Sequence, residues 1–226
     1  MESRTWIKVL ANDLGRLAQG IGKRILSRTN IIIFIKHSDL PANRKVLYVR
    51  LLESIRPNKT ETHIVRVTTG GDIIDYPWIT STGTASLTTT KILLNSVIST
   101  LNKMFMTAKI KDFYYNNPFN CFEYLWMELV DIPEEVIIQY HLEKLASHGW
   151  IYIEIIKGVP SLKQADKVEN KILVEHLAKY NYSPCKLAPA IWIHSTIPMV
   201  FTLCVDFFGW NMLANNTPII CWMPSV

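Results

Sequence analysis

The chain has 226 residues, 49% of them hydrophobic and 19% charged, with 24 Lys and Arg against 19 Asp and Glu for a formal charge of +5. That is enough chain for one or two domains with a buried core. It needs neither disulfides nor metal to fold, and its composition excludes a disordered polymer. The modest basic excess permits an anionic partner such as nucleic acid without requiring one.

The first 29 residues are polar and basic, with Arg4, Lys8, Arg16, Lys23, Arg24 and Arg28 interspersed with Gly15, Gly20 and Gly22. They predict a loosely ordered lead-in, since the glycines form no phosphate-binding fingerprint. Short extended segments follow at 30–36 (NIIIFIK), 45–55 (KVLYVRLLESI) and 62–68 (THIVRVT). Gly70-Gly71-Asp72 signals a tight turn, with a return strand over 73–76. These segments predict a small, basic, antiparallel sheet. From Thr84 the period changes: Leu94, Val97, Ile98 and Leu101 mark one helical face. Strands are expected over 105–110 and 123–129. A helix is expected to open at Pro133, with Glu134 and Glu135 in its first turn. Trp150–Ile156 reads as a strand, and Leu162 to Tyr180 as an amphipathic helix. Val200–Val205 reads as a buried strand, and 207–210 as its turn or return strand. The expected class is α+β, an antiparallel sheet with helices on one face.

The four cysteines, Cys121, Cys185, Cys204 and Cys221, are scattered and form no CxxC pair. The sequence opens with no cleavable signal pattern. Its most apolar stretch, Ile197 to Trp210, is interrupted by Asp206. An intracellular protein, cytoplasmic or nuclear and without a membrane partner, is the expectation. The six histidines make no HExxH, and no serine sits in GxSxG, which argues against those hydrolase classes.

Three segments occur in the order and spacing of a polymerase family. Thr107–Tyr114 (TAKIKDFY), followed by Tyr115-Asn116-Asn117-Pro118, is similar to a motif of the form D-[IV]-K-x-[AF]-[FY]. Lys157–Ala165 (KGVPSLKQA) is similar to K-x-x-Y-G-L-[PK]-Q-A. Val200–Gly209 (VFTLCVDFFG) is similar to an apolar strand ending in V-D-D. Upstream, His63–Val67 (HIVRV) resembles K-A-R-L-V, and Gly71–Tyr76 (GDIIDY) resembles G-x-x-I-D-Y. From Ile31 to Gly209 the chain thus resembles the reverse transcriptase of copia-type LTR retrotransposons. The resemblance implies a right-hand polymerase arrangement. Its parts would be a lead-in at 1–29, a fingers-like basic β subdomain at 30–83, a palm-like α+β subdomain at 84–210 and a non-homologous tail at 211–226.

In that family two Mg²⁺ ions held by carboxylates drive nucleotidyl transfer. The resemblance therefore implies Mg²⁺ as cofactor, with a template-primer of RNA or DNA and a deoxynucleoside triphosphate as partners. Asp206 matches a catalytic, metal-binding aspartate. Tyr114 matches the aromatic residue under the sugar of the incoming nucleotide; read by itself it is equally a half-buried strand aromatic. Gln164 matches a nucleotide- and template-contacting glutamine, and by itself is a surface helix residue. Arg66 matches an arginine on the triphosphate, and Lys59 lies one strand-length before it. Either one, read alone, is a solvated charge on an exposed strand. Arg44, Arg50 and Arg56 add to a basic sheet able to follow a nucleic-acid backbone.

The departures fall on the chemistry. Lys109 stands where the first motif has its aspartate, and Phe207 where the third has its second. Hard divalent cations need oxygen ligands, so one of three carboxylates remains. Asp112, three residues along a strand, belongs to the opposite face and is no substitute. Ser161 replaces a glycine before Leu162. The stretch after Gly209, WNMLANNTPIICWMPSV, has no counterpart of the primer-gripping hairpin or thumb and suggests a frameshift or truncation. Two classes remain: an inactive reverse-transcriptase fragment of a retrotransposon polyprotein, and a non-catalytic nucleic-acid-binding remnant.

Overall fold

The computed structural model describes residues 2–26, 29–70, 84–110, 113–115, 118–159, 162, 165–204 and 207–213. In chain order the first half carries α1 (Glu2–Leu17), β1 (Ile32–Ile35), β2 (Val46–Ile55), β3 (His63–Thr69), α2 (Leu87–Ile98) and β4 (Lys103–Lys109). The second half carries β5 (Pro118–Glu128), α3 (Glu134–Tyr140), β6 (Trp150–Lys157), α4 (Ala165–Lys179), β7 (Tyr182–Pro184), β8 (Ile191–His194), β9 (Met199–Cys204) and β10 (Phe207–Leu213). The class is mixed α+β. The chain forms two compact units, Met1–Pro77 with Tyr114–Ala165, and Trp78–Phe113 with Asp166–Val226.

The first unit holds a five-stranded sheet in the order β1-β6-β5-β2-β3. The expected segments 30–36, 45–55 and 62–68 are strands, but they do not make a sheet of their own. β1 pairs with β6, antiparallel, with Ile32 opposite Ile155. β2 pairs with β3 antiparallel and with β5 in parallel, Val46 opposite Tyr124 and Leu47 opposite Leu125. The sheet is therefore mixed, correcting the antiparallel expectation. Alternation tells which face of a strand is buried, not which strand lies beside it. On β6 the alternation is complete: Ile151, Ile153 and Ile155 are fully buried, while Tyr152 and Glu154 between them are half-buried.

The basic lead-in is a helix. In α1, Leu10, Leu14 and Leu17 recur at helical spacing, with Ala11 beside them and Ala18 just beyond. All five are buried in the same core as Leu47, Leu125, Val136 and Ile153. The charged residues lie on the remaining faces, so the net composition hid the apolar stripe. Gly15 is placed by contact: a Cβ there would sit 2.7 Å from the Ile21 Cβ, so only glycine lets the following loop close onto the helix. Gly20 has φ of +99°, and its carbonyl accepts from the Tyr140 hydroxyl and from Gln139 Nε2 at 2.9 Å. Gly22 N donates to Gln139 Oε1 at 2.8 Å, completing a clamp by the end of α3.

α3 opens after Pro133 as expected, with Glu134 and Glu135 in its first turn, and ends at His141 in a left-handed conformation. Arg24 makes two hydrogen bonds to Glu135, at 2.7 and 2.8 Å, on the surface. A second pair is more enclosed: Arg44 reaches Glu123 at 2.9 Å and also donates to the Phe122 carbonyl. Glu123 is only 8% exposed. Removing Arg44 takes the 2.9 Å cation away from a nearly buried carboxylate, so Arg44→Met is expected to cost about 3 kcal/mol. Arg24→Met, at a solvated pair, should cost under about 1 kcal/mol. Urea denaturation of the two variants checks the contrast, and equal losses would refute it.

The second unit holds an antiparallel sheet in the order β4-β10-β9-β8-β7. α2 packs on β4, β9 and β10, its start capped by Ser86, whose hydroxyl accepts from Thr89 N at 3.1 Å. The helix is where the periodicity puts it, but its buried residue is Leu93. Leu94, Ile98 and Leu101 of the expected face are exposed. β7 and β8 were not expected; they are short, and Trp192 of β8 stacks on Phe201 of β9 with 5.9 Å between ring centroids. α4 buries Glu169, 2% exposed, on the stripe that also holds Leu173 and Leu177.

Candidate nucleic-acid interface

The second unit brings two of the family-like segments together. β10 pairs with β4 along its whole length, with Phe207 opposite Lys109, Gly209 opposite Thr107 and Leu213 opposite Lys103. The same strand pairs with β9, Phe207 opposite Cys204 and Gly209 opposite Thr202. Gly209 is buried, and a Cβ on it would make a tight 3.2 Å contact with the Phe105 ring, so the glycine brings that ring close over the strand. The strand ending in Lys109 thus lies directly beside the hairpin whose connection contains Asp206. Asp206 itself lies outside the described residues, as do Asp112, Ser161 and Gln164.

The donor chemistry of these positions does not suit a two-metal centre. The paired positions are a lysine and a phenylalanine, and neither residue type offers an oxygen ligand to a hard cation. Among the described residues, no three His, Cys, Asp or Glu side chains gather as a metal cluster.

Tyr114 belongs to the first unit and is half-buried, packed against the core that contains Leu14 and Ile153. Lys157, which opens the second family-like segment, donates from Nζ to the Thr29 carbonyl at 2.6 Å. Val159 and Leu162 of that segment are buried in the same core.

Arg66 and Arg50 occupy one face of the β2–β3 hairpin. Arg50 is opposite Thr68 and Arg66 is opposite Leu52, which makes the two arginines diagonal neighbours. Both are exposed. Lys59 is exposed in the connection beyond the strand ends, where its backbone N donates to the Arg56 carbonyl at 3.1 Å. Lys59 and Arg66 therefore share the hairpin but not a strand position. Arg44, held by Glu123, does not belong to this basic surface.

The other face of the hairpin carries His63, Val65 and Val67, and α1 packs on β3. β3 is an edge strand, and α1 covers it. The Val67 N–H donates to the Asp13 carboxylate at 2.9 Å rather than to a further strand. Burial pushes the Asp13 carboxyl up to about 6. The Val67 hydrogen bond and the positive charges of Arg16 and Arg66 oppose that rise, and Glu61 adds to it.

Between α1 and the end of the hairpin lies an open groove of about 490 Å³. Its helix side presents Arg4, Lys8, Asn12 and Arg16, one residue every four, and Glu61 and His63 line the opposite side. Arg16 bonds Glu61 at 2.5 Å. His63 meets the Trp6 ring edge-on, with centroids 4.9 Å apart. The sequence shows Arg4, Lys8 and Arg16 at multiples of four residues, but only a helix turns that spacing into a single face.

No family model, no curated protein and no solved structure matches the chain. No helix among the described residues is long and apolar enough to cross a membrane.

Proposed function

We propose that the chain is a reverse-transcriptase-like segment of a copia-type retrotransposon polyprotein that binds a nucleic-acid strand and does not polymerise. One observation carries this reading: the register of Lys109 against Phe207, beside the connection that holds Asp206. In the family the first motif's strand flanks the third motif's hairpin, and here two separately placed segments meet in that way. A lysine and a phenylalanine occupy the carboxylate positions, which is the basis for assigning no catalysis. The exposed Arg50, Arg66 and Lys59 supply cations for phosphates.

Primer extension by the purified chain on an RNA template, with Mg²⁺ or Mn²⁺, should give no product. Fluorescence anisotropy should show weak, salt-sensitive binding of oligonucleotides without sequence preference, because phosphate contacts dominate such binding. Extension by the unmodified chain would overturn the assignment of Lys109 and Phe207 as disabling. Absence of binding at low salt would remove the nucleic-acid reading. The palm-like register has its own test: Lys109→Asp with Phe207→Asp should gain Mg²⁺ binding in isothermal titration, and neither single variant should. No gain in the folded double variant would separate these positions from any metal site.

A further inference from the structure

We propose that the groove between α1 and the end of the β2–β3 hairpin is the seat of a phosphodiester backbone. The ligand is a single strand of nucleic acid, and Arg4 and Lys8 are its principal contacts. The inference rests on the nucleic-acid-binding reading above and assigns it to a surface whose helix side, Arg4 to Arg16, lies outside the family-like segments.

The geometry favours a linear polyanion. Arg4, Lys8, Asn12 and Arg16 follow one another at four-residue steps along α1 and all line the groove. At 1.5 Å per residue, each step advances about 6 Å, giving a row of donors rather than a point site. Within that row the roles differ. Arg16 is committed to Glu61, and that bond neutralises the acid among the groove's lining residues. Asn12 Oδ1 accepts from Arg24 Nε at 3.2 Å, which leaves the Asn12 amide NH₂ as a donor. Arg4 and Lys8 are exposed and have no acidic partner within ion-pair distance among the described residues. Opposite them, Thr60 adds a hydroxyl of the kind that binds phosphate oxygens, and the Thr62 hydroxyl sits beside it, hydrogen-bonded to His63 Nδ1 at 3.0 Å. A groove of about 490 Å³ has room for a short stretch of backbone. Charge, spacing and hydroxyl lining all suit phosphates.

The test measures binding of a fluorescent single-stranded oligonucleotide to the full chain across a salt series. The comparison is between Arg4→Gln/Lys8→Gln and a control of equal charge change, Lys91→Gln/Lys186→Gln, at exposed positions of the other unit. All four side chains are exposed, and circular dichroism confirms that each variant is folded. The groove variant should bind at least about tenfold more weakly at low salt. The slope of log K against log salt should shrink by about 1.4, or 0.7 for each lost single-strand contact. The control should keep the slope. If the groove variant binds like the unmodified chain, the groove assignment fails while the nucleic-acid reading survives. Equal losses in both variants would reduce the effect to net charge and also overturn the groove. If the unmodified chain binds no oligonucleotide, both readings fall together. Binding only to phosphatidylserine vesicles would replace nucleic acid with a lipid surface and refute the proposal.

Discussion

Leu14→Ala should lower the stability of the first unit by about 3 kcal/mol, the usual cost of emptying a fully buried leucine site. Leu14 has no exposed surface, and it shares a core with Leu47, Leu125, Val136 and Ile153. Ile7, on the same helix, is 50% exposed, and Ile7→Ala should cost well under about 1 kcal/mol. Urea denaturation followed by amide exchange in β6 reads both. A loosely ordered N-terminal segment would make the two substitutions equally silent, so equality would remove α1 from the core.

Asp13→Asn should stabilise the chain at neutral pH and flatten its pH dependence. Burial raises the Asp13 carboxyl to about 6, so between the ordinary aspartate range and pH 6 the folded state holds more protons than the unfolded one. The stability linked to this proton is fully present below the unfolded value and is lost as pH rises through about 6. A shift of roughly two units corresponds to about 3 kcal/mol between pH 3.5 and pH 7.5. Asparagine keeps an oxygen for the Val67 N–H, 2.9 Å away in the parent, and carries no charge to desolvate. Thermal unfolding of both proteins across this range is the measurement. A variant that keeps the parent's slope, or melts lower at pH 7.5, would show that burial is not the dominant influence on Asp13.

Much of the secondary structure was legible in the sequence, for local reasons. The alternation around Ile151, Ile153 and Ile155 and the Pro133-Glu134-Glu135 helix start are short-range signals, and the structure has both. Features set by distant partners were not legible. The parallel contact of β2 with β5 joins Val46 to Tyr124, and nothing near either residue announces the other. α1 was hidden because cations and glycines scattered over residues 4–28 drew the reading away from the leucines at 10, 14 and 17. Glu169 was hidden because a carboxylate on a buried helical stripe runs against the usual cost of burial. The candidate site divides similarly. The segments around Lys109 and Phe207 were visible through family-like motifs, and the structure supplies their register. The Arg4 and Lys8 groove needed the helix before its spacing meant anything.

The way the first unit is threaded has a consequence for synthesis on the ribosome. Its sheet draws β2 and β3 from before residue 70 and β5 and β6 from after residue 117, with residues of the second unit lying between them in the chain. During translation α1 and the β2–β3 hairpin emerge long before β6, the strand whose Ile151, Ile153 and Ile155 complete the core around Leu14. Contacts so distant along the chain form slowly, because the intervening segment must be closed into a loop first. Nascent chains stopped before β6 must therefore keep Leu10, Leu14 and Leu17 without their final partners, a window in which a chaperone or a protease meets the N-terminal helix first.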